Sequence, residues 1–376
     1  MSDTDFKQEF PCDAYTVGWV CVTRPEYLAS KVLLDEEYEH PTVPLDGNQY
    51  VVGRMGKYKH KIVIAKSRSM GQSAAVFAAA KMVDNFKNIR FVLMVGTGGG
   101  ATNAPAESGG GELDDILLGD VVVSMSSSTD GGVLQYDMGK QTDEGFEMIK
   151  CHLNKPYGLL TDAVHTLWTE HEAGKNKMQK FMRKATDTVS RFKFPGREAD
   201  RLFKPDYACE TEGSGVCSNC SETFVVSRER RTSDRPHIYS GLIGSANTVM
   251  KNAEKRDFMR QNQNVLCFEM EAASLMDNFP CIVIRGISDY ADSHKNDRWQ
   301  HYAALSAAAY AKNLLDIIPA RKIDKAMAAG FVVEVGMLDF HVQDDNMLDN
   351  RPQQLLLDNR SHYMQNAADL AQVYGR

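Results

Sequence analysis

Phe268-Glu269-Met270-Glu271-Ala272-Ala273, followed by Cys281-Ile282-Val283-Ile284-Arg285-Gly286-Ile287-Ser288-Asp289-Tyr290-Ala291-Asp292, is the stretch on which the reading of this chain turns. It delivers two acids, Glu271 and Asp289, at the edges of two short buried elements. A carboxylate beside a run such as Cys281–Ile284 is costly to bury unless it is paired or protonated. Chains carry such groups mainly where chemistry uses them, so this pair is the first candidate site. Plainer readings stand beside it. Glu269 and Glu271 are also what a solvated helix start would show, although Cys267-Phe268 before them and Ala272-Ala273 after them weaken that. Asp289 and Asp292 suit a helix cap, which accounts for one of them more easily than for both. If the first run is extended, the two glutamates share one face and Met270 takes the other; if helical, all three fan out.

Outward from this stretch, buried strands alternate with helical spacing. Tyr15–Val22 reads as a first strand, and Glu26–Glu39 has helical spacing through Tyr27, Leu28, Val32 and Leu33. Tyr50–Gly53 and His60–Ala65 read as a strand pair turning near Met55-Gly56-Lys57. Ser73–Phe86 is alanine-rich and helical, Arg90–Val95 is a strand that runs into Gly96-Thr97-Gly98-Gly99-Gly100, and Gly119–Ser124 is another strand. His165–Asp187 is helical and basic. From Val189 to His237 the pattern breaks, as expected of an insertion. Order returns at Ile238–Ile243 and continues to a helix from Trp299 to Leu315, closed by Pro319. Apolar runs without strict alternation predict an α/β sheet covered on both faces. The expected organisation is an N-terminal extension over 1–12, one domain over 13–319 with the insertion at about 189–237, and a tail over 320–376 with patterns at Leu355-Leu356-Leu357 and Met364–Val373.

Composition bounds the rest. The chain has 376 residues, 43% of them hydrophobic and 25% charged, with a net charge of −7. That mild acidity argues against a nucleic-acid or membrane-surface partner. No apolar run approaches the ~18 residues of a membrane span, and the polar start resembles neither a secretory signal nor a transit peptide. The eight cysteines are scattered, several of them in apolar runs, which suits buried thiols in a reducing compartment. The expectation is a cytoplasmic protein.

Three other features have a functional and a plain reading. The glycines at 96–100 allow backbone to approach a ligand closely, or are a flexible connection; they lack the dinucleotide-binding spacing. Cys217 and Cys220, with Cys209 nearby, suggest zinc, but a structural site wants four ligands, and no metal ligand is assigned. The cluster Arg228-Glu229-Arg230-Arg231 reads most simply as a solvated face.

The segments Tyr15–Trp19, Leu93–Gly100, Leu118–Ser124, Tyr239–Ile243, Cys267–Ala273 and Arg285–Asn296 together resemble the nucleoside phosphorylase/nucleosidase superfamily, of the purine and uridine phosphorylase and methylthioadenosine nucleosidase type. The nearest flavour is a fungal branch often attached to signalling ATPase or repeat modules. The resemblance covers about 13–318. It implies a three-layer α/β/α sandwich around a twisted mixed sheet, a homo-oligomer, no cofactor, and a small-molecule purine nucleoside or nucleotide as substrate. It also implies roles. Asp289 protonates the five-membered-ring nitrogen of the leaving purine, beside Ser288. Glu271 accepts from the ribose hydroxyls and Met270 packs on the sugar. Thr97 and Gly98 line the ribose and nucleophile side. Asn247, Val249 and Met250 stand beside the base, and Glu26 activates water. The chemistry agrees: cleaving an N-glycosidic bond builds positive charge on the sugar and negative charge on the base, and a carboxylate and a proton donor complement the two. For Asp289 to donate near neutral pH, burial has to raise its pKa.

Departures from the family pattern refine this. Phosphorylases hold phosphate with arginines, one of them just before the glycines, where this chain has Met94. With Glu26 present, water is the expected nucleophile, and phosphate is the alternative. Ala246-Asn247 stands where relatives often have Gly-Asp or Gly-Asn, which leaves base preference open. Arg24, Lys66 and Arg68 add cations that would suit a 5′-phosphorylated substrate such as ATP, unless they are simply solvated. The expected activity is hydrolysis of a purine nucleoside or nucleotide, of adenosine or ATP type. A phosphorylase and a non-catalytic nucleotide-sensing or oligomerisation module are the alternatives.

Overall fold

The computed structural model describes residues 8–102, 115–149, 153–209, 220–330 and 332. Its strands are β1 (Val17–Cys21), β2 (Glu36–Glu37), β3 (Gln49–Met55), β4 (His60–Lys66), β5 (Phe91–Gly100), β6 (Val121–Ser124), β7 (Val133–Gln135), β8 (Gly139–Thr142), β9 (Gly145–Met148), β10 (Ile238–Ser245), β11 (Val265–Glu269) and β12 (Cys281–Asp289). Its helices are α1 (Arg24–Val32), α2 (Gln72–Asn85), α3 (Gly158–Glu172), α4 (Met178–Thr188), α5 (Ala253–Gln263), α6 (Ala272–Asn278), α7 (Gln300–Leu315) and α8 (Ala320–Asp324). Strands β1 and β12 are buried at every residue and β5 at all but Thr97. A strand covered on both faces has no solvent side to alternate with, so its sequence becomes a continuous apolar run.

The main sheet is mixed, in the order β11-β10-β6-β12-β5-β1-β4-β3-β2, with β7 also paired to β10. β5 lies parallel to both β1 and β12. It also meets β11 antiparallel, through Gly99 and Gly100. Strands β11, β10, β6, β12 and β5 therefore close on themselves as a ring, and β1, β4, β3 and β2 extend from it as an open wing. Helices α1 and α7 form one covering layer, with α3 and α4 against α7; α2 and α6 form the other. α7 is buried from Tyr302 to Leu315, as a helix that is apolar all round must be. Its one lysine, Lys312, is neutralised by Asp35 and donates to the Leu33 carbonyl at 2.7 Å. The α/β/α sandwich with a mixed sheet expected from the sequence is the fold observed.

Several local expectations are corrected. The helical spacing from Glu26 to Glu39 is realised only to Val32, because the wing captures the chain: the Asp35 N–H donates to the Arg54 carbonyl, and Glu36 and Glu37 pair with β3. The basic helix over 165–187 is two helices, broken at Gly174, whose φ of +75° suits a helix end. The expected glycine loop is the last half of β5. The arginine cluster is not a solvated face at Arg228 and Arg231. Arg228 bonds Asp200 and the Tyr290 hydroxyl, each at 2.7 Å, and Arg231 bonds the fully buried Asp120. The Arg231–Asp120 pair fastens the insertion to the start of β6, while Arg228–Asp200 closes within the insertion.

After Pro319, Ile323 and Ala329 are buried and the Ala329 N–H donates to the Ile89 carbonyl at 2.7 Å. The patterns at 355–357 and 364–373, and Cys217, lie outside the described residues. Among the described residues no helix is long and apolar enough to cross a membrane.

Candidate active site

Glu26 is buried one turn into α1, where the chain leaving β1 turns into the helix. Its Oε2 accepts the N–H groups of Val22 and Thr23, both at 2.9 Å, reaching back to cap the helix N-terminus. Its Oε1 accepts from the Thr97 N–H at 2.9 Å and lies 3.2 Å from the Thr97 hydroxyl. One carboxylate thus joins α1 to β5. The glycines of β5 make room for this. A Cβ on Gly96 would lie 2.8 Å from Glu26 Oε1, and one on Gly99 would lie 2.7 Å from Asp289 Oδ1. Both contacts are too close for a real side chain, so the functional acids occupy the space that side chains on β5 would have filled.

Arg285 sits inside β12, wholly buried, between two glutamates that arrive from β11. Its guanidinium pairs with Glu269 and lies 3.2 Å from Glu271 Oε2. Glu269 ends β11 and also accepts the backbone N–H groups of Glu271 and Ala272. Glu271 stands at the start of α6, and its Oε1 accepts the Gly71 N–H at 3.0 Å. Burial raises the Glu271 pKa to about 7; repulsion from Glu269 adds to this and Arg285 opposes it. Burial is the leading cause, and one guanidinium does not fully offset it together with the neighbouring glutamates.

Asp289 ends β12 and is held differently. Its Oδ2 is 2.8 Å from Lys295 Nζ and 2.9 Å from the Ser288 hydroxyl, and its Oδ1 accepts the Ala291 N–H. Burial pushes its pKa up, but Lys295 and these hydrogen bonds outweigh that, and the net direction is below the ordinary aspartate value. The Lys295 ammonium is in turn held above its ordinary value by Asp289, against the cost of burial. Lys295, six residues on, thus supplies a countercharge that opposes the rise burial alone would give Asp289.

Between these groups lies a cavity of about 340 Å³. Glu26, Thr97, Glu269 and Glu271 form one polar end and Ser288, Asp289 and Lys295 the other, with Met70, Val249, Met250, Phe268, Met270 and Ala291 among the walls. Glu26 bonds Thr97 and Asp289 pairs in register with Gly99, two residues further along β5. Of the residues singled out from sequence, Asp289, Glu26, Glu271, Met270, Thr97, Gly98, Val249, Met250 and Ser288 all line this cavity.

Four others are placed elsewhere. Asn247 accepts the Gln72 N–H and donates its own N–H to Asp137, tying its segment to α2. Arg24 is exposed on the first turn of α1. Lys66 bonds the Ser67 carbonyl. Arg68 bonds the Gly47 carbonyl at 2.7 Å and lines a separate cavity with His40, Leu45 and Tyr50. The cations that do reach the main cavity are Lys251 and Lys295, and no arginine is among its described lining residues. The sequence reading missed Arg285, Glu269 and Lys295 as site residues. The signal for Arg285 was present, a lone cation inside an apolar strand; Lys295 offered none.

Residues 20–318 match the sequence profile of the Phosphorylase superfamily. A nucleotide-binding leucine-rich repeat (NLR)-like protein of Hyaloscypha variabilis is 39% identical over 332 residues, covering 86% of this chain and 31% of that relative. The chain thus spans about a third of that relative's length. Among solved structures, futalosine hydrolase of Helicobacter pylori matches with a TM-score of 0.50 at 17% identity, covering 81% of this chain and 98% of that one. The 5′-methylthioadenosine/S-adenosylhomocysteine nucleosidase of Neisseria meningitidis, in complex with methylthio-immucillin-A, matches with a TM-score of 0.50 at 16% identity, over 80% and 98%. These likenesses repeat the fold, and the profile match spans the whole sheet with both layers. On that match, the chain belongs to the phosphorylase superfamily.

Proposed function

We propose that the protein is a purine nucleosidase, which hydrolyses the N-glycosidic bond of a nucleoside of adenosine type to free base and ribose. The observation that carries this reading is that Glu26, Glu271 and Asp289 line one cavity, with Glu271 also paired to Arg285. Glu271, when ionised, accepts hydrogen bonds from the ribose hydroxyls and offsets positive charge on the sugar as the bond to the base breaks. Glu26 takes a proton from the attacking water, whose oxygen bonds to the anomeric carbon. Negative charge meanwhile builds on the base, beside Asp289.

Lys295 and its hydrogen bonds pull the Asp289 pKa down against burial, so on this reading the proton for the ring nitrogen comes from Lys295, 2.8 Å away. As the base becomes more basic, the ammonium proton passes to the carboxylate and the carboxylate's proton to the base; solvent then reprotonates Lys295. Water supplies the hydroxyl and, through Glu26, a proton, so the atoms balance. The absence of arginine from the described lining favours water over phosphate, because a bound phosphate dianion would want guanidinium contacts. The positions of Arg24, Lys66 and Arg68 favour a nucleoside over a 5′-phosphorylated substrate.

The test is product analysis after incubation with adenosine, inosine, methylthioadenosine, AMP and ATP, each with and without phosphate. Free base plus unphosphorylated C1 sugar, indifferent to phosphate, is expected. Base release that requires phosphate would make the protein a phosphorylase and reassign Glu26 to a helix-capping role.

A further inference from the structure

We propose that Cys209, Cys220 and His294 supply three of the ligands of a zinc ion that fixes the insertion to the loop carrying Lys295. The ligand atoms of these three residues all lie within 4.8 Å of one another, and they come from two stretches far apart in sequence. The Cys209 and Cys220 sulfurs are 3.6 Å apart. That separation is well beyond the ~2.0 Å of a disulfide. It is close to the roughly 3.8 Å between two thiolates that share a tetrahedral zinc at about 2.3 Å from each.

The imidazole is already prepared for such a role. His294 Nε2 lies 2.9 Å from the Tyr207 carbonyl, a backbone contact of the kind that fixes the ring of a metal-binding histidine. The ring is stacked on Phe203, with centroids 3.8 Å apart, and on Tyr207. Its direction is therefore set before any ion arrives. The Cys209 N–H donates to the Ser293 hydroxyl oxygen at 2.9 Å, so the backbones on the two sides are already joined. Two thiolates and an imidazole form a soft donor set that suits zinc rather than magnesium or calcium. The sequence also carries Cys217 three residues before Cys220, a spacing common in zinc sites. Cys217 is outside the described residues, and the three described ligands define the site without it.

The site stands behind the catalytic loop. His294 immediately precedes Lys295, and neither cysteine lines the main cavity. Tyr290 is held by Asp200 and Arg228 from the insertion, and Asp292 by Arg256. Zinc would complete this clamp at the residue next to the lysine that holds Asp289. The assignment revises the expectation, drawn from sequence, that no side chain here binds a metal, and it holds whichever glycosidic substrate the cavity takes.

The experiment is metal analysis of the full chain, expressed in zinc-containing medium and purified without chelator, as wild type, Cys209→Ser, Cys220→Ser and Cys12→Ser. About one zinc per wild-type and Cys12→Ser chain is expected, falling severalfold in the other two variants. To keep the test independent of whether those variants fold, wild-type protein is also stripped and reconstituted with cobalt, which should develop thiolate-to-cobalt absorption that added zinc abolishes. Substoichiometric zinc in the wild type, or equal zinc in all four proteins, would overturn the proposal. So would an intact mass lighter by two hydrogens with a Cys209–Cys220 cross-link in peptide mapping.

Discussion

Lys295 Nζ lies 2.8 Å from Asp289 Oδ2, and this contact holds the Asp289 carboxyl below the ordinary aspartate range against the pull of burial. Replacing the lysine by Met removes the cation that holds the Asp289 pKa down, so burial then pushes it up. At neutral pH, kcat/KM for the best nucleoside should fall by about 10²–10⁴, the range typical of lost proton transfer. The loss should shrink as pH is lowered, because Asp289 would then carry its own proton. A profile parallel to wild type at every pH would remove Lys295 from the proton path.

Asp289→Asn and Glu26→Gln address the two ends of the cavity separately. Each should lower kcat by about 10²–10⁴. Glu26→Gln should also lower the melting temperature, because Oε2 caps α1 through two N–H groups and Oε1 holds Thr97. The diagnostic for Asp289 is a leaving-group effect: nucleosides with better leaving groups should lose less in Asp289→Asn. Uniform loss across leaving groups would contradict its role at the base.

Glu271 links stability to pH. Its pKa is about 7 in the fold against 4.5 for an unperturbed glutamate. Between those values the folded state keeps a proton that the unfolded state has released, so stability falls as pH rises from about 4.5 to 7. The contribution is greatest below the lower value and lost above the upper, on the order of 3 kcal/mol across the window. Glu271→Gln should flatten this part of a denaturation-versus-pH curve while abolishing nucleoside binding measured by calorimetry. In wild type, affinity should rise as pH passes upward through about 7, as the ribose-accepting carboxylate ionises.

Arg285→Met would leave Glu269 and Glu271 buried without their shared cation. Breaking a buried pair in this way typically costs about 3–5 kcal/mol, readable as a shift in the denaturant midpoint. Adding Glu269→Gln should recover part of the loss. Equal stability of the single variant and wild type would mean that the guanidinium is not the countercharge.

Much of this was legible in the linear chain. Glu271 and Asp289 stood out because acids beside apolar runs are costly, and the strand runs themselves announced a sheet covered on both faces. Glu26 came through the family resemblance. What escaped depended on neighbours across the sheet. The glycines at 96–100 left a ligand-approach reading and a flexible-connection reading open, because nothing in one strand records that Glu26 and Asp289 fill the space beside it. Arg228 and Arg231 read as solvated because Asp200 and Asp120 lie far away in sequence. Arg24, Lys66 and Arg68 were placed near the sugar by their position in the first turns, but the loop at 66–70 brings Met70 to the cavity and sends Arg68 to Gly47.

The antiparallel contact of β11 with β5 gives the strands that carry Arg285, Glu269 and Asp289 no free edge. The mouth is built otherwise: Met70 and Val249, both substantially exposed, sit on connections outside that ring. Mutations that retune which nucleoside enters therefore have places to accumulate that leave the bond-breaking groups untouched. A lineage can change its diet of substrates by drift in two loops while its chemistry stays inherited intact, and exchange of those loops between relatives should carry specificity with it.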